Sequence, residues 1–301
     1  MNRNRIYVSL KGRIGNQLFI YAFAKKLQEE KKGSILMIDD SKVLEREWIN
    51  SLKYYNLPNV KFIHNKYLRY ILFFHESIVC NLYKFKTKHM DFNTKYVYEK
   101  KHESLFSKFN LFVCENGFIN ISNYNNINYI DGYFQSEKYF NNINDKLMKI
   151  IGINFNELNK YPNIEKIKKR NTICISIKVE HNIGSDLYDV CTNEYWKKAI
   201  KYIKEKVDNP LFFICSDNID YVINNIIDVN ECEYIVQAND FPTHITLNAM
   251  SNCKHFIIGN TTFAWWAQFL CAYENKIVIA PKKWMKVDMP IDIYQDRWVL
   301  L

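Results

Sequence analysis

The sequence lacks most of the signatures by which chemistry is recognised in a chain of this size. None of its eight cysteines are spaced as Cys-x-x-Cys, and several sit inside apolar runs, as Cys174 does in Ile173–Ile175 and Cys215 in Phe213–Cys215. That spacing offers no zinc finger, and it favours buried free thiols in a reducing compartment over disulfides. There is no Gly-x-Gly-x-x-Gly dinucleotide fingerprint, no P-loop and no Asp-x-Asp string. The apolar stretches near Tyr70–Phe74 and Ile257–Leu270 are too short or too interrupted to span a bilayer. Met1-Asn-Arg-Asn-Arg5 runs straight into an apolar segment without a signal-peptide pattern. The expectation is a cytoplasmic chain, peripheral at most to the inner face of a membrane. Internal repeats and low-complexity linkers are absent too.

What is present is an ordinary globular composition. The 301 residues are 48% apolar and 24% charged, enough chain for two α/β domains or one large one. Aromatics reach 16%, with 21 Tyr and 20 Phe; aromatic faces suit sugar rings, but most of these side chains belong in a core. The formal charge is +9, and its basic runs, Lys31-Lys32, Lys168–Arg170 and Lys282-Lys283, are spread over the whole length. Nucleic-acid binders concentrate such charge on one arm or face, so nucleic acid is not the expected partner. An anionic membrane surface or a diphosphate-bearing substrate accounts for a diffuse excess equally well.

Strand–turn–helix patterns open and close the chain. Ile6–Leu10 reads as a strand, Lys11–Gly15 as a turn and Gln17–Glu30 as a helix. Phe19, Phe23 and Leu27 form the apolar face of that helix, while Lys25, Lys26, Glu29 and Glu30 are free to face water. Ser34–Ile38 is a further strand, followed by Asp39-Asp40. Residues 41–128 have weak periodicity and resist assignment beyond helices and loops, and 129–140 reads as a strand leading into a helix start. The polar, proline-containing stretch Asn154–Arg170 is the expected domain boundary. Beyond it strands at 172–179, 211–216, 234–236, 255–258 and 276–279 alternate with helices at 193–207, 219–227, 243–253 and 262–272. Such alternation implies right-handed crossovers and a parallel sheet.

Two segments carry chemical meaning. In Gly12-Arg13-Ile14-Gly15-Asn16-Gln17 a strand feeds a glycine turn and a helix start, where backbone N–H groups attract an anion or a hydroxyl. Arg13, Asn16 and Gln17 add side chains able to bind a sugar or phosphate; the alternative is a plain tight turn. In Asn260-Thr261-Thr262-Phe263 a helix opens at the C-terminal end of a parallel strand, the usual ligand edge of an α/β sheet. Its hydroxyls and N–H groups suit a diphosphate, or else form an ordinary cap on a Trp-rich core helix.

Together with Gly132-Tyr-Phe-Gln-Ser-Glu-Lys-Tyr-Phe140, Phe212-Phe-Ile-Cys-Ser-Asp-Asn218, Cys253-Lys-His255 and Ile277-Val-Ile-Ala-Pro-Lys-Lys-Trp284, these segments resemble the bacterial α-1,2-fucosyltransferases over nearly the whole chain. The resemblance implies an α/β fold of GT-B type, two Rossmann-like domains facing a cleft. On this reading residues 1–160 form the acceptor-side domain and 161–301 the nucleotide-sugar domain. It also implies GDP-fucose as donor, inversion at the anomeric carbon, a galactose-terminated surface glycan as acceptor, and neither a cofactor nor a metal. Asn260, Thr261, Thr262 and Phe263 would hold the diphosphate, with Arg13, Gly15, Asn16 and Gln17 also on the donor and Asp217 on the nucleotide's ribose or base.

One departure is local. Where the family carries His-x-Arg-Arg-Gly-Asp, this chain has Lys178-Val-Glu-His-Asn-Ile183. Both arginines expected to steady the departing diphosphate are replaced by Glu180 and His181; a register shifted by three places His181 and Asp186 on the motif's His and Asp, still without arginine. Lys178 is the candidate substitute cation, and Glu180, His181 and Asp186 are the candidate bases. A transferase for another nucleotide sugar and a non-catalytic glycan- or nucleotide-binding relative stay open. The absence of an Asp-x-Asp string generates a direct expectation: transfer activity persists in EDTA. Loss of turnover in chelator, restored by magnesium or manganese, would overturn it.

Overall fold

The structure, a computed structural model, describes residues 5–65, 67–152, 155–227 and 232–301. The chain divides into two compact units, residues 1–151 with 289–294 and residues 152–288 with 295–301. In the first unit the elements are β1 (Arg5–Ser9), α1 (Ile14–Glu30), β2 (Ile35–Asp39), α2 (Ser41–Leu44), β3 (Val60–Ile63), α3 (Leu68–Leu72), α4 (Phe74–Thr87), α5 (Phe92–Lys108), β4 (Leu111–Cys114), β5 (Tyr129–Gly132) and α6 (Asn144–Ile151). Its five strands pair in parallel in the order β3-β2-β1-β5-β4.

The second unit continues with α7 (Phe155–Leu158), α8 (Ile164–Lys169), β6 (Asn171–Ile177), α9 (Asn193–Lys204), β7 (Pro210–Ser216), α10 (Ile219–Asn225), β8 (Tyr234–Val236), α11 (Thr243–Ser251), β9 (His255–Ile258), α12 (Thr262–Leu270), β10 (Val278–Ala280) and β11 (Val299–Leu300). Its six strands are again parallel, ordered β11-β10-β9-β6-β7-β8. Both sheets are thus doubly wound. Among the described residues no helix is long and apolar enough to cross a membrane.

Local sequence explains these elements. Strands β6 and β7 bury every residue after their first, as parallel strands covered on both faces must. Helix α9 buries Tyr195, Trp196, Ala199 and Ile203 and leaves Lys197, Lys198, Lys201 and Lys204 in water. Thr192 begins it by accepting the Tyr195 N–H at 3.3 Å. The core of the second unit gathers Ile173, Ile175, Trp196, Phe212, Ile214 and Ile257 from this helix and three strands.

Several expectations need correction. Helix α1 starts at Ile14, not Gln17, because Arg13 already holds the extended N-cap conformation; Gly15 therefore lies inside the first turn. Lys25, expected in water, is buried; its ammonium donates to Gln28 Oε1 at 2.7 Å and pairs with Glu29 at 2.8 Å. The helix is covered nearly all round, so an amphipathic reading fails there. The boundary falls earlier than 160. Tyr161 packs against Phe213 and Phe241, and Ile164 and Ile167 are buried, which attaches the stretch before β6 to the second unit. Of the polar stretch 154–170, Asn154 lies outside the described residues, as do residues 1–4. Residues 41–128 contain β3 and β4, short apolar runs that periodicity cannot separate from buried helix. All eight cysteines are unbridged, six of them buried and Cys191 and Cys232 half-buried.

Close sheet packing shows at Gly132, where a Cβ would stand 2.0 Å from the carbonyl oxygen of Cys114 on the neighbouring strand. Gly33, with φ of +80°, has nothing within 4 Å of the same position. Gly132→Ala is expected to lower the thermal midpoint by about 5–10 °C, and Gly33→Ala by about 2–4 °C from its backbone angle alone. Equal shifts would mean that the steric contact at Gly132 is relieved without cost.

Candidate functional site

In an open parallel sheet, ligands bind outside the carboxyl ends of the strands where the winding reverses, because loops there leave to opposite faces. In the second unit that point lies between β6 and β9. The loop after β6, residues 178–191, and the turn 259–261 after β9 meet at it, and a small cavity lined by Lys178, Asn182, Tyr188, Cys191, Gly259 and Asn260 marks the place.

Two short polar side chains shape this edge. At the end of β7, Asp217 accepts the backbone N–H of Val179 at 2.8 Å and of Glu180 at 3.2 Å, and its carboxylate pairs with the Lys178 ammonium. Asp217, expected on the nucleotide, thus pins the loop after β6, and Lys178, expected on the diphosphate, is neutralised by it. Asn260 is buried. Its amide nitrogen donates to the carbonyls of Tyr188 and Trp284, each at 2.9 Å, and its oxygen accepts from Asn182 Nδ2 at 3.0 Å and from the Cys191 thiol. Asn260 is therefore a clamp between loops rather than a side chain offered to a ligand.

Thr261 is the N-cap of α12, its hydroxyl accepting the Ala264 N–H at 3.2 Å. Thr262 and Phe263 open the first turn of α12, and the helix dipole adds partial positive charge there. Glu180, His181 and Asp186 lie exposed on the loop after β6, and their side chains make no hydrogen bond or ion pair among the described residues. His181 takes a left-handed backbone with φ of 66°.

Sequence reasoning missed the cations of this edge. After β10 the chain runs Pro281-Lys282-Lys283-Trp284, and a depression of about 360 Å³ is lined by Lys282, Lys283, Lys286, Asp189 and Leu301. Lys286 pairs with Asp189 at 3.6 Å, while Lys282 and Lys283 are exposed and carry no counter-charge among the described residues. The available signal is the string Ile277–Trp284, in which both lysines directly follow Pro281.

The first unit repeats the plan. Its winding reverses between β1 and β5, and Asn16 accepts a 2.8 Å hydrogen bond from Gln135 Nε2 across that point. Gly12 holds φ of +75° there, and a Cβ would press to 2.5 Å on the Asn16 amide. Gln17 is buried and fully used: it donates to the carbonyls of Gly12 and Ile49 and accepts the Ser51 N–H at 2.8 Å. It builds the turn and is not presented to a ligand. Arg13 is exposed, its guanidinium over the Trp48 ring at 5.8 Å.

Beside this turn lies a charge cluster that the sequence did not disclose. Buried Asp131, on β5, takes Lys11 at 2.9 Å, Lys42 at 3.3 Å and Lys84, and Lys11 also reaches Glu115 at 2.8 Å. Burial opposes ionisation of Asp131, but Lys11, Lys42 and Lys84 together hold its carboxyl well below the usual range. Burial likewise opposes charge on Lys11 and Lys84, yet Asp131 holds both above the ordinary lysine value; at Lys42, farther off, burial wins and the shift is downward. Lys11 also sits 4.8 Å over the Tyr133 ring. Among the described residues no three His, Cys, Asp or Glu side chains gather in a metal-holding group.

Two doubly wound parallel sheets in two successive units are the α/β architecture of the GT-B fold class. The chain belongs to glycosyltransferase family 11: residues 5–301 match the family described as Glycosyl transferase family 11. It is 26% identical over 324 aligned residues to the O-antigen biosynthesis glycosyltransferase WbnK of Escherichia coli, covering 98% of this chain and 100% of that protein. An alpha-1,2-colitosyltransferase of Escherichia coli is 30% identical over 178 residues, 56% of this chain and 60% of the relative. In fold it is similar to the crystal structure of the fucosyltransferase NodZ from Bradyrhizobium, with a TM-score of 0.50 and 12% identity over 90% of this chain and 94% of that one.

The Asp131 cluster yields a test of sign as well as size. Asp131→Asn leaves three ammonium groups without their shared counter-ion and is expected to cost about 3–5 kcal/mol at neutral pH. Adding Lys84→Met to Asp131→Asn should recover part of that loss in a double-mutant cycle. Because the folded-state pKa is depressed, the wild-type contribution is complete above about pH 4, the unfolded value, and fades as pH falls towards the folded one. Denaturant melts between pH 2 and 7 should therefore converge for wild type and Asp131→Asn at the acid end. A constant gap across that range would refute the electrostatic account.

Proposed function

We propose that this protein is an inverting transferase that moves fucose from GDP-fucose onto a galactose-terminated surface glycan through an α-1,2 linkage. The observation that supports the reading most is the edge of the second unit. There the helix start at Thr262–Phe263 follows β9 at the reversal point of a doubly wound sheet, and two lysines without a counter-charge among the described residues, Lys282 and Lys283, follow the neighbouring strand β10. The family membership supplies the reaction class, and the name of WbnK supports an O-antigen glycan as the acceptor's setting.

In this reading an acceptor hydroxyl attacks the anomeric carbon while the bond from that carbon to the phosphate oxygen breaks. The electron pair leaves with GDP, and the hydroxyl proton passes to a base. We assign that base to Glu180, whose backbone is fixed by Asp217 while its carboxylate stands in water. Negative charge growing on the diphosphate is met by the N–H groups of α12 and by Lys282 and Lys283. They take over the work of the arginines missing after β6, since Lys178 is held by Asp217. Neither a cofactor nor a metal enters this scheme.

A second donor is favoured by two observations together. One relative is a colitosyltransferase, and the loop after β6, residues 178–191, carries no arginine. Nucleotide-activated colitose is therefore the competing donor.

Both readings are tested by measuring turnover of GDP-fucose and of nucleotide-activated colitose with a β-galactoside acceptor. Turnover of GDP-fucose at the higher kcat/KM supports the first reading; preference for colitose supports the second. Binding of either donor without any turnover would sink the enzyme assignment. Glu180→Gln should lower kcat by roughly 100-fold or more with GDP affinity intact. Replacing Lys282 and Lys283 together by Ala should raise the Kd for GDP by roughly tenfold or more. Thr261→Val should weaken GDP too, but with a loss of about 1 kcal/mol in stability, because its hydroxyl caps α12. Unchanged GDP affinity in the double lysine variant would place the diphosphate elsewhere.

A further inference from the structure

Helix α4 packs one face on the first unit's sheet through Cys80 and Tyr83, beside Phe106 of α5. Its other face is apolar as well. Phe74, Ile78, Leu82 and Phe85 follow one another at intervals of four, four and three residues, so at 100° per residue they fall within an arc of about 80°. All are solvent-exposed, from 40% at Ile78 to 73% at Phe85. Ile71 of α3 and Tyr67 before it are exposed in the same way. Single exposed apolar residues are ordinary, but a contiguous stripe of this kind marks a contact surface.

The charge around the stripe identifies the contact. Residues 67–109 hold eight Lys or Arg against four Asp or Glu. Two of those acids, Glu99 and Glu103, are buried, whereas Lys86, Lys88, Lys100, Lys101 and Lys108 are exposed. Lys88 stands directly over the Phe85 ring at 5.2 Å, so cation and apolar surface adjoin. A second copy of this face would bring like charges together, which opposes self-association. A bilayer with anionic headgroups matches both features: its acyl boundary accepts Phe, Leu and Ile, and its phosphates accept lysines.

We propose that the exposed face of α4, with Ile71 ahead of it, docks on an anionic lipid bilayer, the stripe entering the headgroup boundary and Lys86 and Lys88 meeting lipid phosphates. The surface is independent of the donor and of turnover, so the test uses binding alone. The full chain is floated with vesicles of phosphatidylethanolamine and phosphatidylglycerol, and with vesicles of phosphatidylcholine. Binding is expected to the anionic vesicles, to weaken at high salt, and to fall roughly tenfold or more both in Leu82→Ser with Phe85→Ser and in Lys86→Glu with Lys88→Glu. Lys197→Glu with Lys201→Glu, on exposed positions of α9, changes net charge equally and should keep wild-type binding. All variants alter exposed side chains, and an unchanged thermal midpoint verifies that each remains folded. Absence of wild-type flotation, or an equal loss in the α9 variant, would overturn the proposal. So would a dimer in solution that dissociates in Leu82→Ser with Phe85→Ser while vesicles are ignored.

Discussion

The loop-bearing edge of the second unit depends on one carboxamide. Asn260 reaches the carbonyls of Tyr188 and Trp284 with its nitrogen and receives Asn182 and Cys191 on its oxygen, so loops leaving β6 and β10 are tied to the turn after β9. A parallel sheet delivers its loops to one edge but does not order them. Asn260 orders them with a short planar group that carries two N–H donors and an acceptor oxygen. Its burial makes the arrangement strict, because each carbonyl left unpaired would cost about 1–3 kcal/mol.

The first unit solves the same problem with charge. Gln17 closes the turn around Gly12 by neutral hydrogen bonds, while Asp131 gathers Lys11, Lys42 and Lys84 at the ends of the central strands. A carboxylate so deeply buried persists ionised only because several cations converge on it. The cost of this solution is that the lysines nearest the edge are already engaged. Free positive charge must be sought elsewhere, and the same logic separates Lys178, matched by Asp217, from Lys282 and Lys283, which have no partner among the described residues.

Membership in family 11 agrees with this architecture. The loop after β6 is held by backbone contacts to Asp217 and by Asn260, so its shape is kept by short polar side chains. Positive charge without a counter-charge among the described residues is present two strand-ends away, after β10.

The alternating strands and helices from 172 onward, the two glycine- and threonine-bearing helix starts and the family resemblance were legible in the residues alone, because each depends on periodicity or on a short contiguous string. Strands β8 and β9 even fall at the expected residues, being short apolar runs bounded by turns. What sequence could not supply was partnership. That Gln17 and Asn260 are clamps, that Asp217 neutralises Lys178 and that Asp131 collects lysines from three separate segments all depend on contacts between residues far apart in the chain. So does the short strand β11, which exists only because β10 offers it an edge. Local pattern determined where helices and strands begin and which strand ends would carry polar groups. Tertiary structure alone decided which of those groups are consumed in holding the loops and which remain for a ligand, because a side chain's charge and hydrogen bonds are spoken for by neighbours that only folding brings within 3 Å or so.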